Sequence, residues 1–239
     1  MISIVTGTLN RIHMLPDLIK NTVENNDKIE LVLVDGGSTD GTLDYVKKLN
    51  HPRIKLVEVG QRSSYPHFMN LGIEHATHDW ICQWNDDALL VCHWQDVIAE
   101  LDKNHDFYLF NWKYGSHADL TNDSWLSGHT GDNGWCICYT VKKDHDNGEI
   151  VVNYGVYSKK IFREIGMYNP EYRYYYCDGD MAYRAYSFGY AYKTLDHVKV
   201  CSIYEPKTAL HYVGDKEIYD KNLNLYKRKI LPNSIIKLK

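Results

Sequence analysis

Two adjacent carboxylates, Asp86 and Asp87, interrupt the apolar and aromatic run WICQWNDDALL (80–90). The first part of this run reads as a buried strand, which puts the acids where the strand leaves the core. Neighbouring acids at a strand's carboxyl end repel each other and desolvate poorly, and a divalent cation or a hydroxyl-rich ligand between them relieves both costs. A polar strand end is the plain alternative. It does not stand alone, because LVLVDGGSTDGT (31–42) is a second strand that ends in an acid, Asp35, and runs into a glycine-rich turn. Two strands of one sheet then aim carboxylates at the same edge. Further on, YYYCDGDMAYRA (174–185) places Asp178 and Asp180 at the start of a helical pattern. There a carboxylate either caps backbone N–H groups or accepts a proton from a hydroxyl.

The elements that must position these acids alternate through the first half of the chain. Strands are expected over 2–6, 29–35, 54–59 and 80–84, and helices over 16–24, 42–49 and 66–76, with Pro16 suited to a first helical turn and Ser38 or Asp40 available to cap the second helix. This rhythm predicts an α/β fold with a mostly parallel sheet flanked by helices. Ligands bind such sheets at the carboxyl ends of the strands, where Thr6, Asp35 and Asp86/Asp87 fall. A helix over 94–103 and a strand over 107–114 follow. The polar, glycine-rich stretch 115–134 is too long for an idle connector and is expected to be a lid or an insert. The remainder predicts a strand over 135–141, helices over 158–165 and 178–188, strands over 191–195 and 198–203, and a basic helix over 215–229.

Bulk properties narrow the function. The 239 residues carry a net charge of −4, which gives no electrostatic reason to expect nucleic acid as a partner. No apolar run approaches the ~20 residues of a transmembrane segment, and the first residues lack a signal-peptide layout, so a cytoplasmic location is expected. The six cysteines (82, 92, 136, 138, 177, 201) are scattered, and buried thiols explain them better than a metal site. Tyrosine outnumbers phenylalanine 20 to 5. A ring with a hydroxyl suits sugar contacts and equally any half-buried surface.

The ordered segments SIVTGTLNR, LVLVDGGSTDGT, MNLGIEHATHDWICQWNDDA, GVYSKKIFREIGMYN and YCDGDMAYRAYSFGYAYK resemble glycosyltransferase family 2, the inverting nucleotide-sugar transferases of the GT-A fold. The resemblance implies one domain over 1–239, with a nucleotide-sugar-binding half (1–90), an acceptor-binding and catalytic half (91–210) and a basic helical tail (211–239). It also implies transfer of a sugar from a nucleoside-diphosphate sugar, expected to be UDP-linked, to a hydroxyl of a glycan, lipid-linked or protein-linked acceptor, using Mn2+ or Mg2+. NDD stands at the family's D-x-D, with Asn85 in place of its first Asp. Asp87 is then a metal ligand, with His211 as a second, and Asp86 faces the ribose or the sugar. Asp35 stands at the base-recognising acid, with Thr6, Gly7 and Thr8 letting the backbone pass close to the nucleotide. Leu9 and Gly36 stand where family members often carry an aromatic and a second acid. Met69 replaces a common Arg, leaving Arg62 as the cation expected at the diphosphate. Asp178 corresponds to the acid that deprotonates the acceptor, and Asp180 is expected to pair with Arg184, four residues on. The 115–134 stretch and Tyr172 to Tyr176 would offer acceptor platforms. The ending KRKILPNSIIKLK reads as a solvated helix end, with peripheral contact with anionic lipid as a lesser alternative. Two other functions compete. A sugar nucleotidyltransferase needs a glycine-rich basic loop after the first strand, of which GTLNR is a poor version, and an inactive sugar- or nucleotide-binding protein sits badly with retention of Asp87 and Asp178.

Overall fold

The computed structural model describes residues 1–24, 26–102, 104–114, 135–136, 153–203 and 214–239. Strands β1 (Ile2–Thr8) and β2 (Ile29–Asp35) are apolar on both faces, and such strands need cover on both sides. Both are buried along almost their whole length, parallel to each other and central in a block ordered β3 (Ile54–Glu58), β2, β1, β4 (Trp80–Gln83). All pairings in this block are parallel, as the alternation of elements implies. Helices α1 (Leu15–Ile19, continued by a π-helical turn Lys20–Glu24), α2 (Thr42–Leu49) and α3 (Tyr65–His75) make the crossovers.

Beyond β4 the sheet becomes mixed. The order continues β8 (Gly155–Ser158), β6 (Phe107–Tyr114), β9 (Tyr192–Ser202) and β5 (Ala88–Leu90), with β7 (Trp135–Cys136) paired to β6. Sequence reading had no strand for β5 or β8, because each is three or four residues long and shows no alternation of its own. The two strands expected over 191–195 and 198–203 are one strand. A bulge opposite Phe110/Asn111 takes up the extra residues, and Asn111 Nδ2 donates to the Asp196 carbonyl across it. Helices α4 (Trp94–Glu100), α5 (Lys159–Glu164), α6 (Cys177–Ser187) and α7 (Gly214–Tyr226) complete the described chain. α4 stops three residues short of expectation, where Leu101 turns extended. α7 stops at Tyr226 because Lys229 adopts a left-handed conformation (φ 56°) and Ile230 N–H donates back to the Leu225 carbonyl, a glycine-free version of a helix-closing turn.

Among the described residues no helix is long and apolar enough to cross a membrane. Cys82, Cys177 and Cys201 are buried thiols and Cys92 is half-buried. The 115–134 stretch, most of the strand expected over 135–141, Cys138 and His211 lie outside the described residues.

At the amino ends of the central strands, buried Glu30 accepts from Ser3 Oγ (2.6 Å), Thr77 N–H (2.9 Å) and Thr77 Oγ1 (2.7 Å), and pairs with Lys55 Nζ at 2.9 Å. Burial opposes its ionisation, but these donors outweigh it and hold the carboxyl down at about 2 against the usual 4.5. The folded state therefore binds the charged form more tightly, so this contribution is complete above about pH 4.5 and fades as pH falls toward 2. Glu30→Gln should lose ~1–3 kcal/mol of stability at pH 7 and flatten the acid limb of the stability–pH curve, measured by urea unfolding between pH 3 and 7.

Candidate active site

The carboxyl ends of β1, β2 and β4 meet at one edge. The register sets Thr8 directly beside Asp35 and Val5 beside Gln83, so the chain leaving β4 emerges next to the end of β1. The strand order reverses between β1 and β4, which makes this the crevice where open α/β sheets take ligands. Residues 85–88 form a tight turn there, closed by Ala88 N–H on the Asn85 carbonyl (3.2 Å) and by Trp84 Nε1 on the Ala88 carbonyl (2.9 Å). β5 then pairs with β9, and Ile203 N–H donates to the Asp87 carbonyl (2.6 Å). The acidic turn is thus fixed between two strand pairings.

Asp86 accepts a 2.8 Å hydrogen bond from Thr8 Oγ1. Asp87 is supported by the Ser202 hydroxyl at the end of β9, while its Oδ1 is buried with no hydrogen-bond partner. Burial first, and the adjacent Asp86 second, push the Asp87 carboxyl up to about 7; the positive charge of Arg11 works against this. Burial raises Asp86 as well, again opposed by Arg11 and by the Thr8 hydroxyl. A buried, partnerless carboxylate oxygen beside a second carboxylate has the hard-oxygen chemistry that Mg2+ or Mn2+ accepts. Among the described residues no group of three or more His, Cys, Asp or Glu could hold a metal ion.

The neighbouring loops interlock. Asp35 spends both oxygens on its own turn: Oδ1 accepts from Gly37 N–H (2.8 Å) and Ser38 N–H (2.9 Å), and Oδ2 from the Ser38 hydroxyl. Gly37 holds φ 93°, where a side chain would be strained and its Cβ would sit 2.7 Å from the Gly60 carbonyl oxygen. Asn10 N–H donates to Ser38 Oγ, and Asn10 Oδ1 accepts from Thr39 N–H. Asp40 accepts from Ile12 N–H and from Thr42 N–H, but the N-cap of α2 is Gly41 (φ 97°) with no side-chain cap, so neither Ser38 nor Asp40 caps the helix as expected. Thr6 is sealed inside the sheet with its hydroxyl on the Gly7 carbonyl. A Cβ on Gly7 would meet the Phe68 ring of α3 at 3.3 Å, so this glycine admits an aromatic side chain to the strand ends.

Arg62 is exposed and lies over the Tyr174 ring, 5.8 Å from its centroid. The positive charge felt by Asp86 and Asp87 comes instead from Arg11, with His13 also acting on Asp86. Sequence reading missed Arg11, whose signal was its place three residues after the last residue of β1.

Asp178 is the second residue of α6, half-buried, with Oδ1 accepting from Gly179 N–H at 2.9 Å. The helix is entered through Tyr176 in a left-handed conformation with no side-chain cap, so Asp178 is inside the first turn rather than capping it. Burial raises its carboxyl to about 6, with Asp180 adding to the rise and backbone N–H groups resisting it. Both Asp178 and Tyr154 act on the buried hydroxyl of Tyr65, and the Tyr154 hydroxyl accepts from Asn85 Nδ2 (3.2 Å). Asp180 is not the ion-pair partner of Arg184. Its Oδ1 accepts from Tyr172 (2.9 Å), Tyr226 (2.8 Å) and Asn222 (3.1 Å), while Arg184 Nη2 donates to the Met167 carbonyl (2.6 Å). Three donors, two of them on α7, take Oδ1, while the Arg184 charge still acts on Asp180 without an ion-pair contact.

The profile of glycosyl transferase family 2 matches residues 3–166, and the chain belongs to this family. Solved structures share its fold. S. aureus TarS 1–349 with UDP-GlcNAc superposes with a TM-score of 0.71 at 15% identity, covering 98% of this chain and 68% of that fragment. Glucosyl-3-phosphoglycerate synthase from Mycobacterium tuberculosis, with Mn2+, UDP and phosphoglyceric acid, gives 0.62 at 12% identity, covering 98% and 80%. Mannosyltransferase PcManGT from Pyrobaculum calidifontis, with GDP-Man and Mn2+, gives 0.56 at 19% identity over 87% of this chain, which spans 58% of that enzyme's length. No curated protein sequence matches the chain.

The paired half-buried acids set a stability cost that can be measured. A carboxyl raised above its unfolded value disfavours folding as pH rises past the unfolded value of 3.8 toward about 7. In chelator at pH 7.5, Asp87→Asn should therefore melt higher than wild type, by ~2–4 °C for each kcal/mol of relieved charge burial, as read by calorimetry. An unchanged or lower midpoint would show that Asp87 is comfortably ionised without a ligand.

Proposed function

We propose that this chain is an inverting glycosyltransferase that moves a sugar from a nucleoside-diphosphate sugar, UDP-linked, to a hydroxyl acceptor with Mn2+ or Mg2+ as cofactor. The observation that carries the reading is the buried, partnerless Oδ1 of Asp87 beside Asp86 at the crevice between β1 and β4. Such an oxygen is costly to bury without a counter-charge, and a cation that also binds diphosphate supplies one. Membership of the family and the nucleotide-sugar complexes of the structural relatives support the same donor class.

In this reading Asp87 holds the metal, with His211 as the second protein ligand. Asp86, fixed by Thr8, faces the donor's ribose or sugar, and the β1 and β2 ends with Thr6, Gly7 and Asp35 shape the nucleotide pocket. When bound, the divalent ion offsets charge on the departing diphosphate. Arg11 and Arg62 are the two cations offered to the phosphates. Asp178 accepts the acceptor's hydroxyl proton as that oxygen bonds to the anomeric carbon. The bond from that carbon to the diphosphate breaks on the opposite face, and its electron pair leaves with the nucleoside diphosphate. A single displacement of this kind inverts the anomeric centre. A carboxyl held near 6 suits the role, since a base is most effective when its proton affinity lies near the working pH.

Asp178→Asn keeps shape and most hydrogen bonds but removes the proton acceptor. Binding of UDP with Mn2+ should survive while transfer, or donor hydrolysis without acceptor, falls ~10²- to 10⁴-fold. In the wild type, turnover should rise through about pH 6 and level off above it, because only ionised Asp178 can take the proton. Asp87→Ala should abolish the metal-dependent part of nucleotide binding. Equal nucleotide affinity in chelator and in manganese would overturn the metal reading, full turnover in Asp178→Asn would move the base elsewhere, and nucleotide binding without any turnover in the wild type would leave a binding protein.

A further inference from the structure

Helix α7 presents Asp215, Tyr219, Asn222 and Tyr226 at intervals of four, three and four residues, which places them on one face. All four are buried, and all four are turned to the segment that carries Asp178. Asp215 is fully buried and accepts three successive backbone N–H groups: Arg173 on Oδ1 (2.9 Å), and Tyr174 (2.8 Å) and Tyr175 (2.9 Å) on Oδ2. A buried carboxylate is tolerated when donors converge on it in this way, and the converse also holds: three consecutive amides are drawn to one point. The next residue, Tyr176, takes the left-handed φ of 63° that a non-glycine residue adopts only when its surroundings compel it, and its ring packs on Tyr219 at 5.3 Å. On the far side of Asp178, Asp180 Oδ1 accepts from Asn222 and from Tyr226. Asp178 thus lies between two anchors on the same helix, and none of the four α7 residues hydrogen-bonds to it.

We propose that Asp215 is a positioning residue for Asp178: its carboxylate gathers residues 173–175, sets the left-handed entry at Tyr176, and so fixes where the Asp178 side chain stands when an acceptor hydroxyl arrives. The inference rests on the reading of Asp178 as the base. The hydrogen bonds Asp215 accepts all come from residues 173–175, so its effect is expected mainly on turnover; the one link toward the donor is Tyr174, over whose ring Arg62 lies. A misplacement of a base by about 1 Å is enough to cost ~100-fold in rate.

The test uses the full chain with Mn2+, UDP binding, and hydrolysis of a panel of UDP- and GDP-sugars, with Asp178→Asn measured in parallel. In Asp215→Asn one acceptor oxygen becomes an amide that faces an N–H donor. UDP–Mn2+ affinity and donor KM should stay within ~3-fold of wild type while kcat falls ~10- to 100-fold, and the amides of residues 173–175 should lose hydrogen-exchange protection. Tyr226→Phe, which removes one donor to Asp180 and keeps the ring, should lower kcat by a smaller factor in the same pattern and serves if Asp215→Asn does not fold. Unchanged kcat with released amides would overturn the proposal, as would equal losses in nucleotide affinity and kcat. If Asp178→Asn itself turns over normally, the base reading is what fails. If it is inactive and Asp215→Asn is not, only the positioning role fails. Fast exchange of the 173–175 amides in the wild type, which needs no substrate to observe, would also sink it.

Discussion

Two half-buried carboxylates side by side where β4 leaves the sheet are the constraint around which the rest of the site is arranged. Mutual repulsion and lost hydration both oppose their ionisation, and a chain free to relax would splay them into solvent. It is not free. The turn at 85–88 is held in front by β4, which pairs with β1 and β8, and behind by β5, which pairs with β9. β5 is three residues long and has little stability of its own, so its value is to return the chain so that Asp87 faces inward. Thr8, Ser202 and the charge of Arg11 moderate the repulsion without removing it.

Burial alone does not distinguish the acids of this protein; the donors around each one do. Glu30 is buried at the amino ends of the strands and is held low by hydroxyls, a backbone N–H and a lysine. Asp87 and Asp178 are raised first by burial and then by a neighbouring carboxylate, with too few donors to offset either. One sheet therefore carries a structural acid at one end and acids strained in the charged form at the other. That asymmetry is what separates a packing solution from a site, because strain in the unliganded state is worth keeping only where a ligand relieves it.

The parallel block was legible because its strands are long apolar runs punctuated by caps and turns: β1, β2, β4 and helix α2 fall close to where composition puts them. The second half was less so. β8 is inserted between β4 and β6 by partners more than 40 residues away, which no local pattern can report, and the β9 bulge is invisible without its partner Asn111. At the site, the acids were legible as acids, but their partners were not. The sequence interval between Asp180 and Arg184 suggests an ion pair, and only the tertiary approach of α7 shows that Tyr172, Asn222 and Tyr226 take that carboxylate instead. Asp215, an ordinary acid near a helix start by sequence, becomes an anchor for the same reason.

The departures at Leu9 and Gly36 acquire a physical meaning from Phe68. This half-buried ring leans from α3 over the ends of β1 and β2, and a Cβ on Gly36 would come within 3.2 Å of its Cζ, much as one on Gly7 would meet the ring at 3.3 Å. An acid at position 36 and an aromatic at position 68 compete for the same space, so the missing carboxylate and the present ring are one packing solution. Asp35 is meanwhile locked into its own turn by Gly37 and Ser38. A decaying site loses groups without compensation and leaves gaps, which close-packed interiors feel as lost stability. Here the space at position 36 is filled from a neighbouring helix, so this edge of the sheet is closed by an apolar contact and leaves no gap beside the acidic turn.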